Sequence, residues 1–484
     1  MIYRDRDLIE NGITPLLLEK CITQHQLEMH RYAKLKRYYD GEHDIKKRTF
    51  TNDSLPNNKL VCNHASYITD MAVSYVFGEP ITYTGKDTEK LNEIFTQIDE
   101  DSHNNELALD ISIFGRGFEL VYMSDEETPT PKLAVLNPNS TFVVADTSVE
   151  HKPMFAVTYQ VKKDINDTIT GYDVFVYTDK EKIHYRTSDI SAAVNITETD
   201  LIETKEYYFD DIPIIEYKNN KDETGDFEKV IPLIDAYNLL QSDRVNDKEQ
   251  LVDAFLVVIG QGLGDTDDEV TKTVNKLKEE KIIELDEGGD AKWLVKSLSE
   301  DQVEILKKAI KDDIHEFSKV PCLTDENFVG NSSGVAMKYK LLGLENLGKT
   351  KERYFKQGLR QRLKLMSNVK NKQAIKLDIN AIDIKFKRCL PVDNELLARI
   401  AQETDGFLSW ETRVKEYNPE IDVEEEKKRL EEEKKKNIEQ QQQAFGSYDF
   451  KNGDDTNVNN INDNSNSDSS NKNDTNRGQA DKNW

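Results

Sequence analysis

The chain has 484 residues, 37% of them hydrophobic and 32% charged, with a formal net charge of -26. That length can bury at least one substantial core and suggests two to four domains, while the low apolar fraction leaves much surface to water or to contacts within an elongated assembly. The acidic balance argues against a protein that coats DNA, which needs a basic excess to release counterions. Cys21, Cys62, Cys322 and Cys389 are isolated, with no CxxC pair and no zinc spacing, which points to a reducing compartment. The opening MIYRDRDLIE is charged where a secretory signal has its apolar core. The longest apolar run, near 251–259, is broken by Asp253 and is too short to span a bilayer, so no membrane partner is expected.

Residues 1–48 read as helical: Leu16, Leu17 and Leu18 lead into Ile22, and His25 to Tyr39 mixes apolar and basic residues at helical spacing. Residues 63–77 predict a second helix with Ile68, Met71, Ala72 and Tyr75 on one face, stopped by Gly78 and Pro80. From 118 to 217 the texture changes to FELVYM, KLAVL, TFVVA, MFAVTYQV, YDVFVYT and IPIIEY, short Val-, Tyr- and Phe-rich runs that predict connected antiparallel strands. Residues 230–259 predict a helix of about 45 Å, with Pro232 harmless in its first turn. A small interruption at 260–290 holds a short helix at 268–280, and IIEL and KWLV are placed to pair across Asp286-Glu287-Gly288-Gly289. Val303, Leu306, Ile310, Ile314 and Phe317 then recur every three to four residues as one apolar seam. The two long helices can lie antiparallel as a stalk with the small αβ insert at its tip.

The next stretch is the most informative. Thr324, Asp325, Glu326, Asn327, Phe328, Val329, Gly330, Asn331, Ser332 and Ser333 form a polar loop after Pro321. A helix at 335–372 follows, with Lys338, Lys340, Lys349, Lys351, Arg353, Lys356, Arg360, Arg362 and Lys364 against Glu345 and Glu352 as its only acids up to Lys364. Lys349, Arg353, Lys356 and Arg360 share one face. In an acidic chain this reversal of sign points to DNA or to an acidic neighbouring subunit, and the net charge ranks the subunit slightly ahead. Gly343, Gly348 and Gly358 each weaken the helix by up to about 1 kcal/mol relative to Ala, and one of them is expected to mark a kink. A short strand at 382–386, a helix at 393–418 broken at Gly406, and a Glu/Lys-rich solvated helix at 422–443 complete the pattern. From Gly446 onward Asn, Asp and Ser dominate, and disorder is expected.

Motifs for chemistry are missing. There is no GxxxxGK[ST], HExxH, GxSxG, or HxE with CxxC, so neither an enzyme nor a cofactor is expected. Gly115-Arg116-Gly117 reads as a turn into a strand rather than a phosphate cradle. Asp265, Asp267, Asp268 and Glu269 lack EF-hand spacing and read as a helix cap ahead of a cation site. His315 reads as a surface or inter-subunit residue, and Tyr38 and Tyr39 as core.

Several blocks occur together and in order: Tyr38-Tyr39-Asp40-Gly41, residues 55–61 (LPNNKLV), Phe77-Gly78-Glu79-Pro80-Ile81, Gly115-Arg116-Gly117-Phe118-Glu119, residues 212–220 (IPIIEYKNN), the run 225–253, and DENFVGNSSGVAMKYKL. In this order they resemble the portal proteins of tailed double-stranded-DNA phages, on the branch of long-tailed phages of Gram-positive hosts, over roughly residues 30–435. The resemblance implies an α+β, mainly helical subunit with wing, stem, clip and crown regions that forms rings, usually of twelve copies, at one capsid vertex. It implies a wing at 1–229 and 335–392, stem helices at 230–259 and 297–319, a clip at 260–296, a tunnel loop at 320–334 with Thr324 to Ser333 facing DNA, a crown at 393–445 and a tail at 446–484. The implied partners are further copies of the chain, double-stranded DNA, terminase, major capsid and scaffolding proteins, and a head-completion adaptor, within the virion after assembly in the host cytoplasm. A cytosolic nucleic-acid-binding factor using the basic helix 335–372 is the alternative.

Overall fold

The computed structural model describes residues 2–52, 55–85, 88–124, 129–188, 196–206, 209, 211–252, 255–259, 266–280, 289–294, 300–323, 334–367, 378–389, 394–417 and 423–445. The chain divides into two compact units, Met1–Leu390 and Pro391–Trp484.

The first unit begins with a strand, β1 (Ile2–Arg4), and a 3-10 turn at Arg6–Ile9, where a helix is expected from residue 1. Ile2 is buried, and β1 pairs in parallel with β5 (Thr141–Asp146) at the edge of a six-stranded sheet. That sheet runs β1-β5-β6-β7-β8-β9, with β6 at Pro153–Lys163, β7 at Ile169–Tyr177, β8 at Glu181–Thr187 and β9 at Leu201–Glu206. All its other pairings are antiparallel. Three local residues did not reveal the parallel edge, because its partner lies some 140 residues away.

Helix α1 (Pro15–Tyr39) starts with Thr14 accepting from the Leu17 N–H and with Pro15 at its first position. Its first half lays Leu17, Leu18, Cys21 and Ile22 on the large sheet. Its second half sends Tyr32, Leu35 and Tyr38 into the main core. The same core holds α2 (His64–Phe77), capped by Asn63 and ended at Gly78. It also holds two helices that periodicity left unassigned, α3 (Glu89–Gln97) and α4 (Glu100–Phe114). A three-stranded sheet, β10-β3-β4, has β3 (Arg116–Met123) at its centre, β4 (Pro131–Leu136) on one side and β10 (Ile214–Lys218) on the other. β2 (Thr82–Thr84) pairs with β13 (Asp383–Lys385), which ties the late part of the unit back to its beginning.

The stalk begins at α5 (Ile231–Val252), which is shorter than expected because Phe255–Ile259, FLVVI, is a strand, β11. Its β-branched and aromatic residues favour the extended backbone over the helix. β11 pairs with β12 (Asp290–Leu294), which takes in most of KWLV, while IIEL, the partner expected from sequence, lies outside the described residues. Between them sits α6 (Asp267–Glu280), with Thr266 at its cap. α7 (Glu300–Ser318) returns antiparallel to α5, fastened by Arg244 to Glu304 at 2.8 Å and Lys248 to Glu300 at 2.8 Å. The seam is narrower than predicted. Ile314 is buried and Ile310 half-buried, whereas Leu306 and Phe317 are 50% and 64% exposed.

The basic helix is two helices, α8 (Gly334–Lys340) and α9 (Leu342–Ser367), interrupted at Leu341 beside Gly343. Gly348 and Gly358 sit inside the unbroken α9 and serve packing. A Cβ on Gly358 would stand 2.3 Å from the Tyr217 ring, and one on Gly348 would stand 3.1 Å from Val76. The second unit contains α10 (Asn394–Glu403), α11 (Trp410–Tyr417) and α12 (Val423–Phe445). Gly406, at φ +84°, turns the chain between α10 and α11. The tail from 446 lies outside the described residues.

Candidate functional site

Two of the basic helix's cations point inward. Arg362 on α9 is fully buried and donates to Glu100 (2.6 Å), to both oxygens of Glu119 (2.6 and 3.0 Å) and to Asn104 (2.9 Å). Tyr217 donates to Glu119 at 2.9 Å, Tyr83 donates to Glu100 at 2.6 Å, and His103 Nε2 lies 2.6 Å from Glu119. Burial by itself would raise the Glu119 carboxyl, but Arg362 and His103 outweigh it and hold it down at about 2. Burial pushes the Tyr217 and Tyr83 hydroxyls well above their usual range, so both stay protonated and able to donate.

Three turns earlier, Lys351 is also buried. Its Nζ reaches Asp226 at 2.6 Å, Asn219 at 2.7 Å and Ser112 at 3.3 Å. Burial lowers its ammonium below the usual lysine range, and Asp226 opposes that shift. Ser112 and Asn219 both donate to Asp226, so the carboxylate has three partners. α9 is therefore riveted to α4, β3 and the segment after β10 by two compensated ion clusters.

The face chosen from sequence is the outer one. Lys349, Arg353 and Arg360 are exposed and Lys356 is half-buried. Lys349 pairs with Glu345 at 3.4 Å and Lys356 with Glu352 at 2.7 Å. Arg388, just after β13, reaches both of those acids, at 3.0 and 2.9 Å. The sequence brings these four cations to one side of α9, and the structure keeps them there.

Thr324 to Ser333 lie outside the described residues. The chain entering that loop is fixed: the Tyr67 hydroxyl donates to the Pro321 carbonyl at 3.2 Å and accepts from the Leu323 N–H at 2.9 Å. Val320 is buried, and His315 Nδ1 meets its carbonyl at 2.8 Å. His315 packs against the rings of His64 and Tyr67 and is half-buried, less exposed than a surface residue. A histidine one turn from the helix end is well placed to bond the carbonyl just beyond it, a local signal that burial alone makes decisive.

Reasoning from the sequence missed a strap along the stalk. Asn238, Ser242 and Asn246 lie four residues apart, one above the other on α5. They accept from the backbone N–H groups of Cys62 (2.8 Å), Leu60 (3.0 Å) and Asn58 (2.7 Å), every second residue of an extended segment. Arg48 adds an ion pair to Asp243 at 2.6 Å, and Tyr38 donates to Asp235 at 2.7 Å. Tyr38 is fully buried, as expected for core. Gly115, at φ +85°, turns α4 into β3, and Arg116 pairs with Glu216 and Glu223 inside the chain, so this turn presents no cation to a phosphate. Blocks that stand far apart in sequence thus meet: 38–41 and 58–62 on α5, and Glu119 of the GRGFE block on α9.

A family profile described as "Phage portal protein, SPP1 Gp6-like" matches residues 18–440. The chain belongs to the phage portal family. The portal protein of Bacillus phage SPP1 is 24% identical over 441 residues, covering 85% of this chain and 84% of that protein. The portal protein of Clostridium phage phiCD119 is 26% identical over 334 residues, covering 64% of this chain and 72% of that one. Both phages infect Gram-positive hosts, the branch that the sequence blocks resemble. The neck of an empty GTA particle, computed with C6 symmetry, superposes with a TM-score of 0.42 at 15% identity over 71% of this chain and 87% of the other. The portal match runs from most of α1 through most of α12, including the stalk, the loop 324–333 and α9. Among the described residues no cluster of ligating side chains could hold a metal ion, and no helix is long and apolar enough to cross a membrane.

Proposed function

We propose that twelve copies of this chain form the portal ring at one vertex of a phage capsid, a virion component through which double-stranded DNA is packaged by terminase and later ejected. The family match over 18–440 carries this reading. The antiparallel pair α5 and α7, with α6 and the β11–β12 ribbon between them, supports a stem tipped by a clip that docks terminase and then the head-completion adaptor. Residues 324–333, leaving the anchored end of α7, are the tunnel loop in this reading, residues 393–445 the crown, and residues 1–229 and 335–392 the wing. The net charge of -26 suits a conduit, because walls that repel a duplex let it slide, whereas arrays of phosphate contacts would trap it. The non-enzymatic character of the chain and its contacts with capsid and scaffolding proteins belong to the same proposal.

The reading as a nucleic-acid-binding factor finds no support. Lys351 and Arg362 are consumed by internal pairs, and Lys349 and Lys356 have neighbouring acids. Light scattering tests the portal reading most simply. Twelve copies of a 55.7 kDa chain give a particle of more than half a megadalton, and a monomer or dimer in native buffer at moderate salt would overturn it. Replacing Asn331, Ser332 and Ser333 with Lys is expected to leave rings intact and slow packaging in vitro, and normal packaging by intact rings of this variant would remove the loop from the channel wall.

A further inference from the structure

We propose that consecutive subunits join head to tail through an ionic contact, in which the outward cations of α9 on one copy face an acid-rimmed pocket around Asp99 and Asp101 on the next. The inference rests on the ring reading above and names a surface pair within it.

The pocket has a volume of about 410 Å³. Ile81, Tyr83 and Phe95 form its apolar floor, and Asp99 and Asp101 stand exposed on its rim. Its acids are not relieved from within. Lys387 comes to 3.6 Å of Glu79 beside the rim, but among the described residues neither Asp99 nor Asp101 forms an ion pair. Partial burial raises the Asp101 carboxyl above its usual range, and Asp99 and Glu79 raise it further, the signature of like charges left facing each other. An apolar floor under a negative rim suits a long cationic side chain, whose stem covers the floor while its head meets the acids.

The chain carries such side chains on one helix face. Arg353 and Arg360 are exposed, and among the described residues they form no ion pair. They stand nine and two positions before Arg362, each about half a turn away from it around the helix. Arg362 points inward to Glu100, and Glu100 itself lines the pocket. Arg353 and Arg360 therefore turn away from the side of α9 on which the Arg362–Glu100 pair reaches the pocket. Surfaces turned apart in this way do not satisfy each other within a copy. They satisfy each other in a head-to-tail contact, which gives a ring where the rotation between copies closes. In a chain of net charge -26, the outward cations of α9 give an acidic neighbour attraction rather than repulsion.

The experiment is charge reversal on both sides of the contact. Wild-type protein is expected to give rings by light scattering and electron microscopy, and the absence of any ring from it takes down the portal reading, and this contact with it. With wild-type rings in hand, a variant carrying Arg353→Glu and Arg360→Glu, and another carrying Asp99→Lys and Asp101→Lys, should each keep the wild-type circular dichroism and assemble at least about tenfold more weakly. Mixed in equal amounts, the two should recover rings in which they alternate, because each reversed surface then meets its complement. A chain carrying all four reversals should assemble by itself. The milder pair Arg353→Gln and Arg360→Gln should lower the salt concentration at which rings come apart. Rings of unchanged salt tolerance from either reversed variant, or folded variants that fail to recover rings on mixing, would overturn the contact while leaving the ring reading intact.

Discussion

α9 and α12 look alike as strings of Lys, Arg and Glu, yet they are held in opposite ways. α9 buries Leu344, Phe355, Leu359, Leu363 and Met366 on one face, and Lys351 and Arg362 go in with them. None of the described residues of α12 is buried, and its Arg429 and Glu425 pair at 2.7 Å in open solvent. Charge content is therefore a poor guide to where a helix sits. What distinguishes α9 is a stripe of apolar and small residues at helical period, continuous enough to seat the helix and to drag two cations below the surface. Once there, those cations need full sets of acceptors, and α4, β3 and the 219–226 segment supply them.

The sharpest way to break this contrast is Arg362→Met. It would leave Glu119 buried without its main counter-charge, and the expected loss is about 4 kcal/mol in urea unfolding. A smaller loss, comparable to that of an exposed pair, would show that the network adds little. The same residue sets an acid limit. The folded-state pKa of Glu119 is depressed to about 2, so the stability it contributes is present above the ordinary glutamate range near 4.5 and is lost as pH falls from there toward 2. That acid-dependent slope should flatten in a Glu119→Gln chain, measured by thermal unfolding between pH 5 and pH 2.

Lys351→Met should cost less, about 3 kcal/mol, because Asp226 keeps Ser112 and Asn219 as donors after the ammonium is gone. Gly358→Ala tests the seat of the helix rather than its charges. Higher helix propensity favours Ala by about 1 kcal/mol, but the new methyl would press into the fully buried Tyr217 ring, and a net loss of about 1–2 kcal/mol is expected by the same unfolding assay. A gain would mean that the ring gives way easily. At the other end of the scale, Arg429→Ala on α12 should change stability by less than about 0.5 kcal/mol, since both partners are more than 60% exposed. A loss near that of Lys351→Met would mean that α12 is held by more than local pairing.

The strap along α5 lies between the two cases. Asn238, Ser242 and Asn246 are polar residues buried on a helix with little apolar periodicity, and they are satisfied by backbone donors rather than by other side chains. A helix that buries amides and a hydroxyl in this way needs an extended partner with alternate N–H groups turned toward it, and residues 58–62 provide one.

By itself the sequence determined the local periodicities and what they entail. It placed most of α1, α2, most of the strands between 116 and 218, the antiparallel stalk and the outer cationic face of α9, because each of these repeats within a dozen residues. It also carried the family, because the order of blocks survives without knowledge of their contacts. Only tertiary structure decided that Ile2–Arg4 joins a sheet 140 residues on, that FLVVI leaves the helix to pair with β12, and that Leu306 and Phe317 stay outside the stalk seam. It alone sorted the nine cations of the basic stretch into those with buried partners and those facing out. The reason is physical: a charge's place depends on which acids the fold brings within about 3 Å of it, and Glu100, Glu119 and Asp226 come from more than 120 positions away along the chain.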